Sequence, residues 1–191
     1  VNMDDYHYLT DFQWQSTQNS YTAPLKDVSI SHNAIRLTGD DGREKAYERG
    51  IGAHSNSTII YDLSDKNADF FTAFVGVDRQ MYGTVGSVDG EKQFDSGLMQ
   101  SRDPQQYIEV SITGAKELKL VVTDGGNGNG SDHASWGDTK LHFANAERVF
   151  TQALTLALED AKAIPIENYT AESIQALQAS IAKAEEVLAN P

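Results

Sequence analysis

Cysteine is absent from the 191 residues of this chain, which excludes disulfides, thiolate metal sites and cysteine nucleophiles together. That absence suits an exported chain as well as a cytosolic one. Basic residues are scarce: 15 Lys and Arg face 28 Asp and Glu, a net charge of −13, and none forms a cluster longer than a pair. An electrostatic grip on nucleic acid or on an anionic bilayer is therefore not expected. The partners that this balance favours are neutral molecules, cations or metal ions. No apolar run approaches the roughly 20 residues that a membrane span requires. The opening "VNMDDYHYL" has neither a basic n-region nor an apolar h-region, so the expectation is a chain that starts after any export signal or never carried one.

What is present divides into two parts. From residue 6 to 143 short apolar or alternating runs rich in Val, Ile, Tyr and Phe recur: "STIIYDL" (57–63), "FFTAFVGVD" (70–78), "YIEVSI" (107–112), "ELKLVVT" (117–123) and "TKLHF" (139–143). Turn formers such as "GDDG", "SDKN", "VDGE" and "DPQQ" separate them, and no amphipathic helix interrupts them. The pattern predicts a mainly β fold, an antiparallel β-sandwich, rather than a βαβ fold. After about residue 145 the period changes. Phe150, Leu154, Leu158 and Ala161 recur at helical spacing, then Ile174, Leu177, Ile181, Ala184 and Leu188, with Thr170 as the N-cap of the second helix. The expected organisation is a sandwich over 1–148 and a two-helix C-terminal segment over 149–191, the latter with too little core of its own and completed either by a third helix or by packing onto the sandwich.

Two stretches stand out as candidate sites. In "KAYERGIGAHSNSTIIYDL" (45–63), Gly50 and Gly52 shape a tight turn before a strand and aim Tyr47, Arg49 and His54 outward; the alternative is that the glycines and His54 only shape a loop. The second, "DGGNGNGSDHASWGD" (124–138), holds five of the 15 glycines and one of the two tryptophans. A flexible linker has no use for Trp136 beside His133 and two carboxylates. As a calcium loop it offers oxygen donors in Asp124, Asn127, Asn129 and Asp132, without the spacing of an EF-hand. Zinc is disfavoured, because His7, His32, His54, His133 and His142 include no pair at metal-ligand spacing. Catalysis is not expected: no acid and nucleophile pair is marked out among Asp124, Asp132 and Asp138, and no G-x-S-x-G elbow is present. Saccharide recognition needs a flat aromatic under the C–H face of the sugar and planar polar side chains on its hydroxyls. Trp136, His133 and Asp132 on a rim loop meet that description.

The segments "YERGIGAHSNSTIIYDL" and "VVTDGGNGNGSDHASWGDTKL", about 80 residues apart, together with "YLTDFQWQS" and "VDGEKQFDSGLM", resemble the NPCBM domain, also called carbohydrate-binding module family 51, over about residues 6–144. The shared signatures are G-[IL]-G-x-H-x-x-S and D-H-A-x-W-x-D. The resemblance implies a galactose-binding-like β-sandwich (jelly roll) without catalytic activity, appended to a secreted bacterial glycoside hydrolase. It implies binding of glycans with terminal galactose or N-acetylgalactosamine, and a structural calcium, for which Asp124 and Asn127 are the ligands to test. The sugar contacts it implies are His54 with Arg49 and Tyr47 beside it, and Asp132, His133 and Trp136. Trp14, in a strand-like run with Phe12, is expected in the core. The segment "GTVGSVDGEKQF" looks shorter than the family's usual strand and DG turn, which implies a clipped strand. The tail, "YTAESIQALQASIAKAEEVL" above all, resembles the start of a FIVAR-type helical module, which implies an extracellular, multimodular protein, secreted or attached to the wall of a Gram-positive bacterium.

Overall fold

The computed structural model describes residues 5–78, 85–88, 90–100, 102–126, 128, 130, 132–143, 151–167 and 169–189. Contacts divide the chain into two units, Val1–Ala146 and Glu147–Pro191.

The first unit is an antiparallel β-sandwich. One sheet contains β1 (Tyr6–Tyr8), β3 (Leu25–Lys26), β6 (Gly50–His54), β8 (Phe70–Val77), β11 (Gln106–Ser111) and β13 (His133–His142). Its order is β11-β8-β13-β6-β3, with β1 added alongside β13. The other contains β2 (Ser16–Asn19), β7 (Ser57–Asp62), β9 (Val85–Val88), β10 (Glu91–Asp95) and β12 (Glu117–Val122), in the order β10-β9-β12-β7-β2. A hairpin of β4 (Ile35–Thr38) and β5 (Glu44–Tyr47) stands apart as a third, two-stranded sheet. Strands β9 and β10 pair from Glu91↔Val88 to Asp95↔Val85 with one bulge. The expected clipped strand falls partly on residues 83–84 and 89, which lie outside the described residues.

Side-chain alternation puts β7 and β12 at a surface. Ile59 and Tyr61 of β7, and Leu118, Leu120 and Val122 of β12, are buried while their neighbours are partly open or exposed, the period-2 pattern of a half-buried sheet. Strand β6 is buried at every position, and β13 at all but His133, Asp138 and Lys140. The reason is a cover on the outer side of the six-stranded sheet: Ile35, Leu37 and Tyr47 of the β4–β5 hairpin form a small core of their own with Phe74 of β8. Close cover explains the small residues beneath it. A Cβ on Gly52 would lie 2.5 Å from the Val28 carbonyl oxygen, and one on Gly137 would lie 2.6 Å from the Tyr47 ring. These glycines permit close packing rather than mobility.

The second unit holds α1 (Thr151–Lys162) and α2 (Ala171–Ala189). Thr170 caps α2, its hydroxyl accepting from the Ser173 N–H at 3.3 Å. Lys162 and Glu185 pair across the two helices at 2.6 Å. Leu158 is buried, but no described residue of α2 is, and Ile164, Ile166, Tyr169 and Val187 are exposed.

Candidate functional site

Strand β13 begins at His133, six residues earlier than its apolar run suggests, and pairs with β6 from Gly137↔Gly50 to His133↔His54. The two glycine-containing motifs are therefore neighbouring strands, and their histidines form the last register pair at the rim. Their rings lie 5.3 Å apart. His54 Nδ1 is 2.6 Å from the Ser55 carbonyl oxygen; a carbonyl only accepts, so Nδ1 carries the proton and Nε2 is the acceptor of the neutral ring. His133 Nδ1 and the Ser31 hydroxyl are 3.2 Å apart. The Tyr21 ring lies over His54 at 4.8 Å, with 75% of its surface exposed. His54 itself is buried, so the aromatic that faces solvent here is Tyr21, with His54 as its support.

Beside the histidine pair opens a cavity of ≈ 350 Å³, walled by His133, Ser31, Asn33, Arg36, Glu44 and Asp78. Arg36 and Glu44 form an ion pair at 3.1 Å. Asp78 is tied in place by its backbone, whose N–H donates to the His133 carbonyl at 3.0 Å. Burial pushes the Asp78 carboxyl above the ordinary carboxylate range, against a hydrogen bond from Ser29 and the charge of Arg36. Burial, with the neighbouring His54, holds the His133 imidazole below the usual histidine value, and Asp132 opposes them. The wall thus combines hydroxyl, amide, guanidinium, imidazole and carboxylate groups around one opening. Such a set donates to and accepts from adjacent hydroxyls at once, and the exposed ring of Tyr21 connects to its wall through His54, which contacts both Tyr21 and His133.

The six residues expected to touch sugar do not converge. His54 and His133 meet, as above. Trp136 is wholly buried in the middle of β13, so it presents no face for stacking; its expected role as a platform is corrected to that of a core residue. Tyr47 is also buried, stacked on Phe74 at 5.6 Å with its hydroxyl donating to Gln105 Oε1 at 2.6 Å, and is likewise corrected. Asp132 is 1% exposed, which removes its carboxylate from direct contact with a sugar and corrects its expected role there. Arg49 precedes β6, whereas His54 ends it, a separation of about 16 Å along an extended strand. It pairs with Asp11 and, at 3.1 Å, with Asp27, while its guanidinium covers the Tyr8 ring at 4.3 Å. Arg49 is therefore corrected to a structural ion pair at the opposite end of the strand. Trp14 is half-buried, edge-on to Tyr61, with the Lys26 ammonium over its ring; it borders the core and does not lie wholly within it.

For calcium, the Asp124 carboxylate accepts from the Gly126 N–H at 3.0 Å, and Asn127 and Asn129 lie outside the described residues. Among the described residues no group of three or more His, Cys, Asp or Glu is placed to hold a metal. Asp132 Oδ1 is a buried oxygen without a hydrogen-bond partner. Sequence reasoning missed Tyr21, Ser31, Asn33, Arg36, Glu44 and Asp78, which come from three separate stretches of chain. No local spacing links them; only Asp78, which closes "FFTAFVGVD", adjoins a run that the sequence marks as a strand.

A two-sheet sandwich with a polar pocket and an exposed aromatic at its rim defines a carbohydrate-binding class of module. The sequence profile of the NPCBM/NEW2 domain matches residues 5–142, and the chain belongs to that family. It is a non-catalytic module of the CBM51 type, a class carried by bacterial glycoside hydrolases. The structure of CBM51 from Clostridium perfringens GH95 in complex with methyl-galactose is 41% identical, with a TM-score of 0.69, over 71% of this chain and 99% of that one. That of CBM51-2 in complex with GlcNAc and INT domains from Clostridium perfringens ZmpB is 35% identical, with a TM-score of 0.70, over 97% of this chain and 41% of that one. A blood-group-substance endo-1,4-beta-galactosidase of Clostridium perfringens is 28% identical over 73% of this chain. The chain spans 12% and 20% of the lengths of the two curated relatives it matches.

Proposed function

We propose that the rim pocket binds a terminal galactose or N-acetylhexosamine of a glycan and so holds a linked glycoside hydrolase at its substrate. The observation that carries this reading is the ≈ 350 Å³ pocket of mixed donors and acceptors, whose His133 belongs to the same ring cluster as His54 and the exposed Tyr21. Support comes from two relatives at 35% and 41% identity that were solved with GlcNAc and with methyl-galactose. The mechanism is proximity: a shallow site, worth about −4 to −8 kcal/mol, raises the effective concentration of the linked enzyme near its glycan. Secretion, or attachment to a bacterial cell wall, belongs to the same proposal, and so does the reading of α1 and α2 as the start of a FIVAR-like spacer.

Titration calorimetry with methyl-galactoside, N-acetylgalactosamine and GlcNAc tests the reading. Saturable binding in the micromolar to millimolar range is expected for at least one of the three. Tyr21→Ala is expected to weaken it several-fold to about tenfold, the worth of one aromatic contact, while the melting temperature moves by less than about 2 °C because the ring is exposed. A glycan array with no galactose or hexosamine hit would replace the proposal with that of a structural sandwich that packs on its catalytic partner.

Calcium at the 124–132 loop is proposed with it, supported by the buried, unpaired Asp132 Oδ1 at the end of that loop. Binding to the native state alone raises stability by mass action. The melting temperature is therefore expected to fall on adding a chelator and to recover with excess calcium, and an unchanged melting curve in both arms removes the ion.

A further inference from the structure

We propose that Asp132 is a positioning residue for the rim pocket, acting through Ser55 to hold His54, Tyr21 and His133 in one arrangement; this rests on the sugar reading of that pocket. Asp132 immediately precedes His133 and Ser55 immediately follows His54, so the two lie just beyond the last register pair of β6 and β13. Two hydrogen bonds clasp them: the Ser55 N–H donates to the Asp132 carbonyl at 3.0 Å, and the Ser55 hydroxyl to Asp132 Oδ2 at 2.8 Å. Both residues are essentially inaccessible.

From that clasp the Ser55 carbonyl reaches the His54 ring directly and Tyr21 only through its chain neighbour Ser20. It accepts from His54 Nδ1 at 2.6 Å and from the Ser20 hydroxyl at 3.2 Å, next in sequence to Tyr21. The Asn56 N–H returns a bond to the Ser20 hydroxyl at 2.8 Å. A shift of Ser55 would therefore move the His54 ring and the Tyr21 loop together, and with them the support of His133.

The electrostatics argue that the clasp is not there for stability. Without the proposed calcium, one carboxylate oxygen of Asp132 is buried with no hydrogen-bond partner, a costly state for a carboxylate. An uncharged group that kept the Ser55 bond would lack that cost. Asp132→Asn keeps an acceptor for the Ser55 hydroxyl, and Asp132→Ala and Ser55→Ala both abolish that bond.

The test is galactoside titration of the full chain, with histidine and tyrosine ring NMR spectra of each variant. Asp132→Ala and Ser55→Ala are expected to weaken binding about tenfold and to shift the ring resonances of His54, His133 and Tyr21, whereas Asp132→Asn restores binding to within about threefold of the wild type. If Asp132→Ala fails to fold, Ser55→Ala, which removes a single oxygen, decides. Wild-type affinity and unmoved ring resonances in Ser55→Ala overturn the proposal, as does a loss in Asp132→Asn equal to that in Asp132→Ala. A wild-type chain that binds none of the sugars overturns the sugar reading instead, and the ring spectra of Ser55→Ala still report whether the clasp sets the geometry.

Discussion

Trp136→Ala is expected to lower the melting temperature of the sandwich by roughly 10 °C or more, the shift that a loss of about 3–5 kcal/mol produces in a domain of this size. Trp136 is the largest wholly buried side chain of the described residues. It sits in β13 between β6 and β8, paired with Ile51 on one side and Val75 on the other. Removing its ring leaves a cavity that two hydrogen-bonded neighbours cannot close without breaking register, so the site collapses poorly and the cost falls toward the upper end of the range. The buried indole N–H has no hydrogen-bond partner, so the variant's loss is one of packing and includes no hydrogen bond. A calorimetric melt decides: a variant that melts within about 2 °C of the wild type would return Trp136 to the surface. Sugar binding by the folded fraction is expected to persist, because no atom of the ring reaches the pocket rim.

Trp136 also shows where sequence reasoning reached and where it stopped. "GIGAHSNS" and "SDHASWGD" together carry the family resemblance, and they fold as neighbouring strands whose histidines pair. Their glycines and small residues nevertheless read as loop, because the sequence does not reveal that the β4–β5 hairpin and the Val28–Ile30 backbone press on them and exclude side chains. A strand covered on both faces loses the alternation that marked 57–63 and 117–123. Once that signal is gone, a tryptophan among glycines passes for an exposed platform. The same limit hid the pocket. Arg36 and Glu44 come from a hairpin with no counterpart in either main sheet, Asp78 from the end of β8, and Tyr21 from the loop after β2. Nothing in sequence spacing joins them, and the fold alone brings them to one rim. The two helices were legible because their period is local.

His133→Ala and Arg49→Ala are expected to separate binding from stability, although both residues flank the same pair of strands. His133 is the one group that belongs to the pocket wall and to the histidine pair at once. Its loss removes a hydrogen-bonding ring from the ligand side and the partner of Ser31 from the protein side. The one ligand bond, worth about 1 kcal/mol, corresponds to a loss of affinity of about fivefold, and the loss of the Ser31 partner loosens the wall of the pocket. The ring is partly open, so stability is expected to change by less than about 1 kcal/mol. Arg49 behaves in the opposite sense. Its guanidinium joins Asp11, Asp27 and the Tyr8 ring, but with about a third of its surface open solvent screens the ion pairs, and the expected cost is about 1 kcal/mol. Affinity for the galactoside is expected to stay within twofold, because Arg49 lies at the other end of β6. Parallel titration calorimetry and thermal melts of the two variants check both halves. Lost binding in Arg49→Ala with the fold intact would move the sugar site to that end of the sandwich, onto the Tyr6, Tyr8 and Lys140 cluster, and would leave the rim pocket without its ligand.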